Sequence, residues 1–142
     1  MEICTWTRPS RILHTMLRVS DLDRSIDFYC QILGMEEVRR ESFSDSRFTL
    51  VFIGYQSEQE ASVIELTYNW DEGSFVRGNQ FGHIALEVDS FEEINELFSE
   101  CGISYLREPG PMKSKNDAGD HPETIAFIED PDGNILELIE KK

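Results

Sequence analysis

Two histidines and two glutamates recur in this 142-residue chain in matched order, His14 then Glu65, and His83 then Glu137. Each histidine opens a short alternating run. Thr15, Leu17 and Val19 follow the first, and Ile84, Leu86 and Val88 the second, so period two puts each imidazole on the opposite face of a strand. Each glutamate stands inside an apolar run, Val63-Ile64-Glu65-Leu66 or Ile135-Leu136-Glu137-Leu138. Two neutral imidazoles and two carboxylates form a mixed nitrogen and oxygen donor set for one divalent ion. Such a set suits zinc, nickel, cobalt or manganese better than a thiolate-seeking ion. Four protein donors on an ion that accepts six leave two positions for water or substrate oxygens, the open kind of site that does Lewis-acid chemistry. A closed tetrahedral site would be structural instead. Taken singly, a strand histidine is more often a hydrogen-bonded, half-buried residue than a ligand, and either glutamate could face solvent on a one-sided sheet. The duplicated order is what joins the four.

The elements that must position them also come in two rounds. The first strand is expected over 12–19. Ser20 or Asp21 caps a helix whose stripe is Leu22, Ile26, Tyr29 and Leu33, and Gly34 stops it. Strands follow over 35–41, 47–55 and 61–68, the last bearing Glu65. The polar stretch 69–80 is the seam between halves. The second round repeats the pattern with the strand at His83, a capping-box spacing at Ser90-Phe91-Glu92-Glu93, and a helix stripe of Phe91, Ile94, Leu97, Phe98 and Cys101 before Gly102. A strand is expected over 103–107 and broken by Pro109-Gly110-Pro111. Residues 113–123, which include His121, form an irregular loop. Strands over 124–129 and 134–139 flank the turn Asp130-Pro131-Asp132-Gly133. The reading is therefore α+β: an arm over 1–10, then two tandem β-α-β-β-β modules, about 11–72 and about 80–142. Their strands form a curved, partly open, barrel-like sheet around a shared hollow, which would bring the two His-plus-Glu pairs together about a pseudo-twofold axis.

Composition narrows the partners. A length of 142 residues with 39% hydrophobic content suffices for one core. With 28 acidic against 13 basic residues the net charge is −15, which excludes nucleic acid and anionic membrane as general partners. An anionic small ligand must then be met by a few placed cations. Cys4, Cys30 and Cys101 lack CxxC spacing, and no apolar run approaches a membrane span, so a reduced cytoplasmic setting is expected.

The run His14-Thr-Met-Leu-Arg18-Val, with Arg24-Ser-Ile-Asp-Phe-Tyr29, Leu33-Gly-Met35, Ile64-Glu65-Leu-Thr-Tyr-Asn69-Trp70, Phe81-Gly-His83-Ile-Ala and Ala126-Phe-Ile-Glu-Asp-Pro-Asp-Gly133, resembles the glyoxalase I family of the vicinal-oxygen-chelate superfamily. The resemblance covers residues 11–142. It implies the paired fold, a homodimer with sites at the subunit interface, and His14, Glu65, His83 and Glu137 as metal ligands, one divalent ion per site. The compact length and the histidine at position 14 resemble the short bacterial form, often served best by nickel or cobalt. Some related enzymes carry glutamine there and use zinc.

The reaction implied is isomerisation of the glutathione-methylglyoxal hemithioacetal to S-lactoylglutathione, with glutathione as co-substrate. Its physics suits the donor set, since two neighbouring substrate oxygens near the metal stabilise the enediolate formed when the C1 proton leaves. The resemblance assigns that proton mainly to Glu137, with Glu65 as the near-symmetric counterpart. Arg18, four residues along the strand from His14 and about 13 Å away at strand rise, is placed to grip a tripeptide carboxylate. Asn69 bears the same relation to Glu65, and both correspond to residues that hold glutathione in the family. Lys113 and Lys115 are further candidates for its glycine carboxylate. Where some members carry a basic residue four positions before the second histidine this chain has Asn79, with Arg77 nearby. Other superfamily chemistries (epimerase, thiol transferase, dioxygenase) and a non-catalytic binding role are the alternatives. The Tyr-Asn-Trp after Glu65 and the four-ligand set favour glyoxalase.

Overall fold

Two sheets of identical strand order make up the computed structural model, which describes residues 7–142. Residues 1–6 of the expected arm, with Cys4, lie outside the described residues. In the first sheet β1 (His14–Arg18), β4 (Val63–Asn69), β3 (Phe48–Gly54) and β2 (Glu36–Phe43) are successive neighbours. In the second the order is β5 (Ile84–Val88), β8 (Ile135–Glu140), β7 (Thr124–Glu129) and β6 (Arg107–Pro111). The first strand of each runs parallel to the fourth, and the other pairs are antiparallel. Each sheet is thus mixed and open, a β-α-β-β-β unit repeated, and the pair forms a curved surface that does not close into a barrel.

One helix serves each sheet. Asp21 caps α1 (Leu22–Ile26) by accepting from Arg24 N–H at 3.1 Å. The chain then widens into a π-helical turn over Asp27–Ile32, with Leu33 N–H donating to Phe28 C=O at 3.0 Å. The extra residue per turn brings Phe28 as well as Tyr29 into the core, which an α-spaced stripe does not foresee. Gly34, at φ 78°, ends the element in the left-handed region. On α2 (Phe91–Cys101) the Ser90 hydroxyl accepts from Glu92 N–H at 3.2 Å. The other first-turn donor, Phe91 N–H, goes to Glu140 on β8 at 2.8 Å, so a distant carboxylate caps beside Ser90.

The strand expected over 103–107 is displaced: β6 begins at Arg107 and runs through Pro109, Gly110 and Pro111, the residues expected to break it. Proline is tolerated because β6 is an edge strand with few ladder donors to lose, and its register shifts between Arg107 and Gly110. Arg107 supplies donors that the prolines lack. Its guanidinium donates to the carbonyls of Gly110 (3.0 Å), Ile125 (2.7 Å) and Pro111 (2.6 Å).

The apolar faces of both sheets share one core. Leu17, Val19, Val51 and Leu66 come from the first, and Val88, Ala126, Leu136 and Leu138 from the second, with Tyr29 and Phe98 from the helical segments. Polar contacts pin the halves through the 130–133 turn. Tyr29 O–H donates to Asp130 at 2.7 Å, and Ser20 N–H donates to Asp132 at 3.1 Å. Burial, then the neighbouring Asp130 carboxylate, pushes the Tyr29 phenol far above its ordinary pKa. Among the described residues no helix is long and apolar enough to cross a membrane.

Candidate metal centre

The face of each sheet turned away from the core carries the chemistry. His14 is the first residue of β1, and Glu65 sits opposite Met16 on β4. The imidazole Nε2 lies 2.9 Å from Glu65 Oε2, with the His14 side chain 37% exposed and that of Glu65 13%. A carboxylate so nearly withdrawn from water needs partners. Glu65 has a second one, the Thr67 hydroxyl, which donates to Oε1 at 3.0 Å. The His14 ring meets the Phe52 ring edge-on, with centroids 5.4 Å apart at 77°. Phe52 is the cross-strand neighbour of Glu65, and the Arg39 guanidinium lies over its ring at 3.6 Å while donating to Glu58 at 2.8 Å.

The second sheet repeats this row. His83 immediately precedes β5, and Glu137 pairs with Ala85 on one side and Phe127 on the other. His83 Nε2 lies 3.4 Å from Glu137 Oε1, with side-chain exposures of 39% and 15%. His83 and Phe127 again meet edge-on, at 5.4 Å and 71°. Arg107 is the register partner of Phe127, as Arg39 is of Phe52. The rows Arg39–Phe52–Glu65 and Arg107–Phe127–Glu137 are therefore equivalent. The sequence reading named the histidines and glutamates but not the two phenylalanines or Thr67. Their signal is register: each phenylalanine lies opposite its glutamate on the adjacent antiparallel strand.

Both pairs fit a divalent ion. Donors about 2.1 Å from one cation stand about 3.0 Å apart at right angles and about 3.4 Å apart at the tetrahedral angle, so separations of 2.9 and 3.4 Å suit two donors on one ion. The expectation that all four meet within the hollow of one chain is corrected. Among the described residues no group of three or more His, Cys, Asp or Glu side chains gathers. The reason is burial: the faces that meet inside the chain carry Leu17, Leu66, Leu136 and Leu138, so the His–Glu faces point outward. One chain thus carries two separate His–Glu pairs.

The remaining candidates are spread unevenly. Arg18 closes β1 on the His14 face and lines a cavity of about 410 Å³ with Met16, Phe75, Arg77 and Phe81. Asn69 ends β4, half-buried opposite Phe48. A second cavity of about 470 Å³ lies beside His83, lined by Arg77, Asn79, Arg107 and Phe127. Arg77 thus borders both. Lys113 and Lys115 are exposed on the irregular segment after β6, and His121 on the same segment contacts the Met112 carbonyl. The described cysteines, Cys30 and Cys101, are free thiols, and burial pushes the Cys30 thiol up.

Two open mixed sheets with a repeated His–Glu pair define a metal-donor scaffold, and the sequence matches the Glyoxalase/Bleomycin resistance protein/Dioxygenase superfamily over residues 11–138. The chain belongs to that superfamily. It is 49% identical over 133 residues to the lactoylglutathione lyase of Neisseria meningitidis, spanning 93% of this chain and 91% of that one. With the Escherichia coli O157:H7 lactoylglutathione lyase it shares 48% over 132 residues, 93% of each chain. Glyoxalase I from Zea mays superposes with a TM-score of 0.82 at 37% identity over 92% of this chain. This chain spans only 44% of the maize protein's length.

Proposed function

We propose that this chain is a lactoylglutathione lyase whose active centre is completed between two copies. It converts the methylglyoxal-glutathione hemithioacetal to S-lactoylglutathione and so removes methylglyoxal. The observation that carries the reading is the pair of half-sites, His14–Glu65 and His83–Glu137, in a chain so similar to lactoylglutathione lyases over nearly its whole length. Each module, about 11–72 and about 80–142, contributes one half-site. In a homodimer the His14–Glu65 face of one copy meets the His83–Glu137 face of the other, which supplies the two missing donors and covers the exposed Met16 and Phe81. The ion is nickel or cobalt, with zinc as the other candidate, and the setting is cytoplasmic.

A divalent ion on these donors supplies Lewis-acid stabilisation of the negative charge that develops on two adjacent substrate oxygens. The chain's own residues do the rest. Glu137 accepts the proton from C1 of the hemithioacetal as the C–H electron pair moves into the C1–C2 bond, and returns it to C2. The hydroxyl proton at C1 passes to the C2 oxygen, so the product is an isomer and no redox partner enters. Glu65 would hold the ion. Phe52 and Phe127 hold the two imidazoles edge-on. Arg18 and Asn69 grip the glutathione arm, and Lys113 and Lys115 face its glycine carboxylate, the few cations that a chain of charge −15 must place for an anionic substrate.

Metal-stripped protein resupplied in turn with nickel, cobalt, zinc and manganese tests the reading, with S-lactoylglutathione followed by absorbance. Restored turnover, best with nickel or cobalt, is expected. No turnover with any of the four would overturn it.

A further inference from the structure

The two half-sites differ at one neighbouring position. Two residues after Glu65, on the same face of β4, stands Thr67; two residues after Glu137, on the same face of β8, stands Ile139. The Thr67 hydroxyl donates to Glu65 Oε1 at 3.0 Å while His14 Nε2 lies 2.9 Å from Oε2, so both carboxylate oxygens have protein partners. Thr67 is only 8% exposed and lies in register between Leu50 and Arg18, and its β-branched side chain has few rotamers. The Ile139 side chain has no hydrogen to donate, so Glu137 lacks the side-chain hydroxyl partner that Glu65 has. A carboxylate engaged at both oxygens keeps one orientation. One without a fixed hydroxyl on its second oxygen is freer to turn.

We propose that the Thr67 hydroxyl is a positioning latch, holding Glu65 as the fixed carboxylate donor of the centre, while isoleucine at the corresponding place leaves Glu137 free to turn toward the substrate carbon. Division of labour between two otherwise duplicated glutamates thus rests on one hydroxyl, present in the first module and absent from the second. Partners of ligating residues orient them, and removing one typically costs about 10- to 100-fold in metal affinity or activity. This inference rests on the metal-centre reading above.

Three variants test it, each measured two ways: calorimetric titration of metal-free protein with nickel alone, and kcat and KM at saturating nickel. Thr67→Val keeps the shape and removes the hydroxyl, so nickel binding weakens about tenfold. Thr67→Ser restores the hydroxyl and returns the affinity to near wild type, which loss of packing alone would not do. Ile139→Thr adds a latch to the second module at a half-buried position. Its kcat falls about tenfold with KM unchanged, because Glu137 is now held. Wild-type affinity in Thr67→Val overturns the proposal, as does a Thr67→Ser affinity no better than that of valine. If circular dichroism shows that Thr67→Val does not fold, wild-type kcat in Ile139→Thr overturns it instead. Failure of the metal-free wild-type protein to bind nickel, cobalt, zinc or manganese sinks the metal-centre reading itself, and that result precedes any variant.

Discussion

The two sheets carry the same His–Phe–Glu row but support its edge differently. On the first, β2 and β3 pair along most of their length, and Arg39 lies over Phe52 with Glu58 and Glu41 as ion partners. On the second, the edge strand β6 is five residues long, contains two prolines and depends on Arg107 for three carbonyl contacts. The irregular segment 112–123 follows directly. The same histidine, phenylalanine and glutamate thus stand once beside a long edge strand and once beside a short one with two prolines. If the two pairs meet in one centre, as proposed above, they reach it from differently supported strands, and the two glutamates can be compared directly by mutation.

The largest effect that sharpens this contrast is expected from Glu137→Gln. Turnover at saturating metal should fall about 10²- to 10⁴-fold, the range of a general base. Rate retention near wild type would remove Glu137 as the obligatory base and break the asymmetry at its centre. Next comes the seam between modules. Tyr29→Phe leaves Asp130 short of a buried donor and should lower stability to urea by about 2 kcal/mol at neutral pH. A pH dependence goes with it. The folded-state phenol is raised by burial and by Asp130, so its contribution is intact below the unfolded tyrosine value of about 10 and declines as pH climbs past it. Wild type should therefore lose more stability than Tyr29→Phe between pH 9 and pH 11; parallel losses would contradict the burial account.

Smaller still, Arg18→Ala should raise KM for the glutathione adduct roughly tenfold with little change in kcat, one charged hydrogen bond's worth. An unchanged KM would take Arg18 out of substrate binding. The mildest comparison sets the two arginines against each other. Thermal unfolding should drop further for Arg107→Ala than for Arg39→Ala, because Arg107 ties backbone carbonyls of the edge strand β6 to one on β7, whereas Arg39 holds solvent-screened carboxylates. Equal shifts would mean that the second module's edge does not depend on that guanidinium.

Much of this was legible in the residue order. Alternation placed His14 and His83 opposite Leu17 and Leu86, Ser20 or Asp21 and then Ser90 marked the helix starts, with Asp21 the one that caps, and Gly34 and Gly102 marked the ends. The π-helical turn was not, since a stripe of Leu22, Ile26, Tyr29 and Leu33 also satisfies α spacing. It is the core's room for both Phe28 and Tyr29 that selects the wider turn. Strand β6 was misjudged for a similar reason. Proline argues against a strand in general, but at a sheet edge a missing N–H costs little, and being at the edge is a property of the assembled sheet. Thr67 escaped notice because a threonine in a strand carries no chemical signature until its hydroxyl is found on a carboxylate.

Period, caps and turn chemistry act within a few residues, so the chain alone dictates which side of each strand carries imidazole and carboxylate, and that this happens twice. Which sides then face each other depends on long-range burial of apolar surface, and that puts the leucine faces together and turns each His–Glu pair outward. Only the packed molecule could therefore reveal that the two His–Glu pairs stand apart within one chain.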